Sequence, residues 1–164
     1  MNVLVAYMSR TGNTQKICEA IFDEIVTEKT LKRIEDVDSL EGYDVTFLGL
    51  PIEMLGPNDT AKAFLQTKTT RKKIALVLTH GAPENAPTLR PWIQKFKDAA
   101  CDANVLGVFN CQGQMAETII NMLLNHPDPK AQKWGEEYIP NELPDASSAE
   151  KARAFARDIM KTVT

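Results

Sequence analysis

Five strand candidates punctuate the chain: Val3–Tyr7, Leu31–Ile34, Val45–Leu50, Ile74–Leu78 and Val105–Phe109. Leu31–Ile34 is short and polar and reads as a sheet edge. The others are nearly continuous in apolar residues, as in parallel strands that are covered on both faces. Helical spacing fills most of the intervals. Ile17, Ile21 and Ile25 share one face of a helix beginning near Asn13, further helices run from about Asp59 to Gln66 and from about Thr88 to Ala100, and Ala152, Phe155, Ala156 and Ile159 form the buried stripe of a last helix. Ser147-Ser148-Ala149-Glu150 is a capping-box pattern that predicts Ser147 as the N-cap of that helix. Strands alternating with helices predict an α/β fold, a doubly wound five-stranded parallel sheet with helices on both faces.

The junction after the first strand carries the strongest chemical signal. Ser9-Arg10-Thr11-Gly12-Asn13-Thr14 ends a strand and opens a helix. The first backbone N–H groups of a helix lack intrahelical partners, and the helix dipole favours negative charge beside them. Ser9, Thr11 and Thr14 add hydroxyl donors, and Gly12 lets the backbone approach a ligand closely. With no lysine after the glycine and no triple glycine, the loop is neither a P-loop nor a dinucleotide fingerprint. Neutral donors suit a phosphate monoester that is held and never transferred.

Strand, Ser-x-Thr-Gly-x-Thr and helix at the start of a chain resemble the phosphate loop of the flavodoxin family, and the resemblance extends over essentially all 164 residues. It implies a strand order of 2-1-3-4-5, FMN as cofactor, and a ligand crevice at the carboxyl ends of the strands. It also implies that Ile52, Glu53, Met54, Leu55 and Gly56 after the third strand, and Thr79, His80, Gly81, Ala82 and Pro83 after the fourth, flank the flavin ring. Gly56 is the peptide whose carbonyl would respond to flavin protonation, although Pro57 restricts it. Members commonly stack Trp or Tyr on the ring from these loops. This chain has neither there, and Met54 and Leu55 are the best substitutes. Trp92 reads as core, and Trp134 and Tyr138 are the aromatic residues of the long segment that could fold over the flavin, a question the sequence leaves open.

Composition narrows the function further. A chain of this length reads as one domain spanning 1–164, with a long segment at about 110–146 before the last helix. That segment includes a helical piece around Met115–Leu124, and Pro140 and Pro144. A net charge of −3 without a dense basic stripe argues against a nucleic-acid partner. Acidic residues concentrate between Glu19 and Asp44, which reads either as a solvated face or as a field steering a basic redox partner. Cys18, Cys101 and Cys111 show no paired spacing, so reduced thiols in the cytoplasm are expected, as is the absence of a membrane role. Cys111 reads as a structural thiol near the crevice and Glu53 as solvated or as negative charge beside the ring. His80 is a packing residue or a charge switch, and His126 a helix-end residue without chemistry.

Three functions compete. The first is an FMN-binding electron carrier working between a reductase and an acceptor protein that dock near the flavin edge. The second is an FMN-dependent NAD(P)H oxidoreductase, with residues 110–146 forming a pocket, and the third a binding module that has lost flavin. A receiver domain is excluded because Ser9 and Leu50 stand where its acidic residues belong. A low-molecular-weight tyrosine phosphatase is excluded because no cysteine accompanies Arg10.

Overall fold

In the computed structural model, which describes residues 1–138 and 142–164, strand β1 (Asn2–Tyr7) lies inside the sheet. It is flanked by β2 (Glu28–Arg33) and β3 (Val45–Pro51), and β4 (Lys73–His80) and β5 (Asn104–Gln112) follow outward. The order is β2-β1-β3-β4-β5 and every pairing is parallel. The order in which strands are added reverses between β1 and β3, which is where such sheets open a crevice at their carboxyl ends.

The alternation of side chains along each strand builds two cores. Leu4, Ala6, Leu48, Leu50, Leu76 and Leu78 face one side, under α2 (Asp59–Lys68) and α3 (Leu89–Ala99), with Phe64, Leu65 and Phe96 packed on them. Val3, Val5, Tyr7, Phe47, Ala75 and Val77 face the other, under α1 (Asn13–Glu24) and the last helix, with Ile17, Ile21, Ala152 and Ala156. Continuous apolarity in β1, β3 and β4 thus reflects burial on both faces. An extra residue in β5, Leu106, has no partner where the pairing passes from Ile74–Val105 to Ala75–Gly107.

Several boundaries differ from the expectation. β2 is an edge strand but begins earlier, and Ile34 leaves it to start a single 3-10 turn, Ile34–Asp36. β5 runs on through Asn110, Cys111 and Gln112, whose polar character masked them, because β4 pairs with it as far as His80. The long segment holds two helices, α4 (Glu117–Leu124) and α5 (Pro129–Glu137), of which only the first was legible. α6 (Ala146–Val163) is capped by Asp145, whose carboxylate accepts the Ser148 amide at 2.9 Å, rather than by Ser147. Hydrogen bonding to that amide and to the Ser148 hydroxyl holds the Asp145 carboxyl below its usual range. Trp92 is not core: it is half-buried on α3 and packs against Trp134 of α5, ring centroids 6.3 Å apart. Pro140 lies outside the described residues.

Candidate functional site

Four loops meet at the carboxyl ends of β1, β3, β4 and β5. Backbone hydrogen bonds carry the ladder past the strands and fix the loops to one another. Met8 N–H donates to Gly49 O at 2.9 Å, Ile52 N–H to Thr79 O at 2.8 Å, and Gly113 N–H to His80 O at 2.8 Å.

The β1 loop is wound around its own glycine. Gly12 is the α1 N-cap and has φ +93°, a conformation that favours glycine. Its amide donates to Ser9 Oγ at 3.1 Å, and its carbonyl accepts the Lys16 amide at 3.0 Å, the first helical bond. No side chain caps this end of α1. The amides of Asn13, Thr14 and Gln15 precede that first bond and so have no intrahelical acceptor. Arg10 and Thr11 are exposed and Ser9 is half-buried. Thr14 turns inward: its hydroxyl, 2% exposed with its residue, shares a 2.7 Å hydrogen bond with Thr79 Oγ1.

Beneath this turn the packing is close. A Cβ at Gly49 would lie 2.2 Å from Cys18 Sγ and 3.0 Å from Thr14 Cγ2. Glycine at 49 is what lets α1 descend onto β3. On the other flank, Asn13 Nδ2 donates to Gln114 O at 2.9 Å, and Lys16 Nζ donates to Pro144 O. A Cβ at Gly113 would meet Asn13 Nδ2 at 2.4 Å. Both ends of the long segment are therefore fastened to the first turn of α1. A cavity of about 250 Å³ lies there, lined by Thr11, Asn13, Gln114, Met115, Ala116 and Glu117.

The β3 loop is a tight turn. Glu53 and Gly56 exchange both backbone hydrogen bonds, at 2.9 and 3.1 Å, around Met54 (φ +48°) and Leu55 (φ +67°). Non-glycine residues at positive φ cost about 1–2 kcal/mol each, so the surroundings must hold this shape. The Gly56 carbonyl, which was expected to respond to flavin protonation within the limits Pro57 sets, accepts the Glu53 amide and closes the turn. Met54 is 90% exposed and Leu55 49%. Glu53 is not simply solvated: Arg10 Nε lies 3.2 Å from its Oε1, and Asn58 Nδ2 donates to its Oε2 at 2.9 Å.

The β4 loop is held from below. His80 is buried, with Nδ1 2.8 Å from Ala82 O and Nε2 2.9 Å from Asn110 Oδ1. Burial lowers its pKa, against the Asn110 and Ala82 hydrogen bonds and the Glu84 charge. A neutral ring donating from Nδ1 to Ala82 needs the Asn110 amide turned so that its NH2 faces Nε2. Gln112 Nε2 donates to Gly81 O at 3.2 Å, and Met115 packs on Gly81. Pro83 is exposed, while Thr79 and Ala82 are buried. Glu84 pairs with Lys151 of α6 at 2.9 Å. Tyr138 spends its hydroxyl on the Met115 amide, at 2.8 Å, and so anchors the long segment.

Cys111 is fully buried in the core rather than facing the crevice, and burial pushes its thiol up to about 12. Burial raises the Cys18 thiol as well. The thiolate forms that would react are suppressed in both. The His126 amide donates to Leu123 O, as expected of a helix end, and its Nδ1 accepts the Asp128 amide at 3.0 Å. Among the described residues no cluster of His, Cys, Asp and Glu could hold a metal ion.

A family model for the flavodoxin domain matches residues 4–156. The chain belongs to the flavodoxin family. It is 34% identical over 171 residues to the flavodoxin-like domain-containing protein BilS of Clostridioides difficile, covering 98% of this chain and 97% of that protein. In fold it is similar to flavodoxin 2 of Bacillus cereus (TM-score 0.64, 18% identity, 99% of each chain). It is also similar to a flavoprotein of Lactobacillus acidophilus solved in complex with FMN (TM-score 0.54, 21% identity, 66% of this chain and 92% of that one). The residues of this flavodoxin fit FMN: an uncapped helix N-terminus under a glycine turn lies beside two loops that end neighbouring strands. It is a flavodoxin-like FMN-binding domain.

Proposed function

We propose that this flavodoxin is an electron carrier that binds FMN and passes electrons between a reductase and an acceptor protein. The α1 N-terminus carries the reading: three amides without intrahelical acceptors, no side-chain cap, and a glycine turn that leaves the approach open. Ser9, Thr11 and the amides following Gly12 would take the phosphate. Thr14 would contribute its amide, its hydroxyl being engaged with Thr79. The ring would lie between the Ile52–Gly56 and Thr79–Pro83 loops, with the backbone of the second recognising its edge and Met54 and Leu55 lying over its face. Bound FMN supplies one- and two-electron chemistry at that ring. The chain's own part is to hold the phosphate, fix the ring at the carboxyl edge of the sheet, and keep the β4 loop in place through His80.

The cavity of about 250 Å³ beside the glycine turn is lined by residues of the phosphate end, among them Gln114, Met115, Ala116 and Glu117 from the long segment. Docking would use the exposed Met54–Leu55 turn. The acidic stretch would steer a basic partner, though Glu24, Glu35 and Glu41 are paired with Arg157, Arg33 and Lys72 and contribute less to that field. We place the protein in the cytoplasm, where the exposed Cys101 thiol would stay reduced. No helix among the described residues is long and apolar enough to cross a membrane.

Titration of the apo protein with FMN and with riboflavin tests the site. Charge-assisted bonds from two helix amides favour FMN by about 3 kcal/mol, a preference of roughly 100-fold. Equal affinity for the two flavins would remove the phosphate site. Reduction of bound flavin only through an added reductase supports the carrier, and rapid reduction by NADH or NADPH alone rejects it.

A further inference from the structure

We propose that Arg10, although it belongs to the phosphate loop, serves the ring end of the site: through Glu53 it locks the Glu53–Gly56 turn. The inference rests on reading this crevice as an FMN site and deepens it by naming a positioning residue. Arg10 reaches from the β1 loop to the β3 loop, where its Nε meets Glu53 Oε1 at 3.2 Å. The second carboxylate oxygen accepts from Asn58 Nδ2 at 2.9 Å, and Asn58 Oδ1 caps α2 by accepting the Ala61 amide at 2.9 Å. Glu53 is thus tied on one side to the phosphate loop and on the other to the start of α2.

The turn needs such ties. Met54 and Leu55 hold positive φ, and neither is buried, so packing of their own side chains does little to keep the conformation. Gly56 is supported by the stem of Lys95, which a Cβ there would meet at 3.0 Å. The Glu53 end has the carboxylate network instead. The phosphate end has hydroxyl donors and helix amides of its own, and Arg10 pairs with Glu53 across the two loops.

The experiment compares wild type with Arg10→Gln, Arg10→Lys, Glu53→Gln and the Arg10→Gln/Glu53→Gln double variant, by titration with FMN and with riboflavin. Arg10 is 70% exposed, so its replacement leaves the core intact. A positioning role weakens both flavins by the same factor in R10Q, up to about fivefold for an ion pair of this exposure. R10K, which keeps the charge, recovers most of the loss, and the double variant is no weaker than R10Q alone. A loss of about tenfold or more for FMN with riboflavin unchanged makes Arg10 a phosphate ligand and overturns the proposal. Hydrogen exchange of the Glu53 and Gly56 amides in the apo protein judges the same point without flavin. Faster exchange in R10Q and E53Q, but not in R10K, supports the lock, and unchanged exchange overturns it. Should wild type bind neither flavin, the FMN reading falls, and this exchange result alone decides whether Arg10 holds the turn.

Discussion

Replacing Gly49 by alanine should injure the phosphate end of the site without touching a loop. The new Cβ would stand 2.2 Å from Cys18 Sγ, 3.0 Å from Thr14 Cγ2 and 3.2 Å from Tyr7 Cβ. Ordinary contacts begin near 3.5 Å, so the overlap with sulfur exceeds about 1 Å. Cys18 is fully buried, and its one rotatable bond can only swing the sulfur into other packed atoms. The relief left is for α1 to lift from β3, at an overpacking cost of about 3 kcal/mol. For a chain of this size that corresponds to a fall in Tm of roughly 6–12 °C. Because Thr14 lies one turn before Cys18, the lift moves the amides of the phosphate loop, and FMN should be weakened more than riboflavin. Cys18→Ala removes the sulfur, so the double variant should recover about 2 kcal/mol and most of the FMN preference. Urea unfolding of the four proteins, with flavin titrations beside it, reads both effects. If G49A is within about 0.5 kcal/mol of wild type, or if the cycle is additive, α1 is not held against β3 by this contact.

Two further outcomes follow from buried polar groups. Thr79→Val strands the Thr14 hydroxyl and should cost about 1–3 kcal/mol in urea unfolding, whereas Thr14→Val/Thr79→Val should be less damaging than T79V alone. His80 titrates below its ordinary value of 6.5, so the unfolded chain takes up its proton first as pH falls. Its contribution is complete above pH 6.5 and declines between there and the lower folded value; urea midpoints from pH 5 to 8 should show this slope, and His80→Gln should flatten it.

What could be read from the sequence was whatever a local pattern carries. β1, β3 and β4 are apolar on both faces because both faces are buried, and the glycine turn at Gly12 announces itself through its hydroxyl neighbours. α5 escaped because Trp134 is the one large apolar residue on a helix that lies on the surface, even though Asp128-Pro129 is a sound start signal. Asp145 and Ser147 both offer capping oxygens, and only the path of the incoming chain selects the first. The Arg10–Glu53 pair joins residues far apart in sequence, and the turn at Met54–Leu55 uses residues that turn rules do not favour. At Gly56 the sequence shows only the restriction that Pro57 places on its carbonyl. The hydrogen bond it accepts from Glu53 is visible only once the turn is closed.

The fastening of Asn13 to Gln114 and of Lys16 to Pro144 spans 101 and 128 positions of the chain. On the ribosome, the Ser9–Thr14 turn therefore emerges more than a hundred residues before the segment that braces it. Domains of this size fold as units when enough chain has appeared. A nascent chain stalled before Pro144 carries the whole phosphate motif and lacks one of its two braces. Damage to the segment after β5 thereby reaches a turn encoded more than a hundred residues earlier.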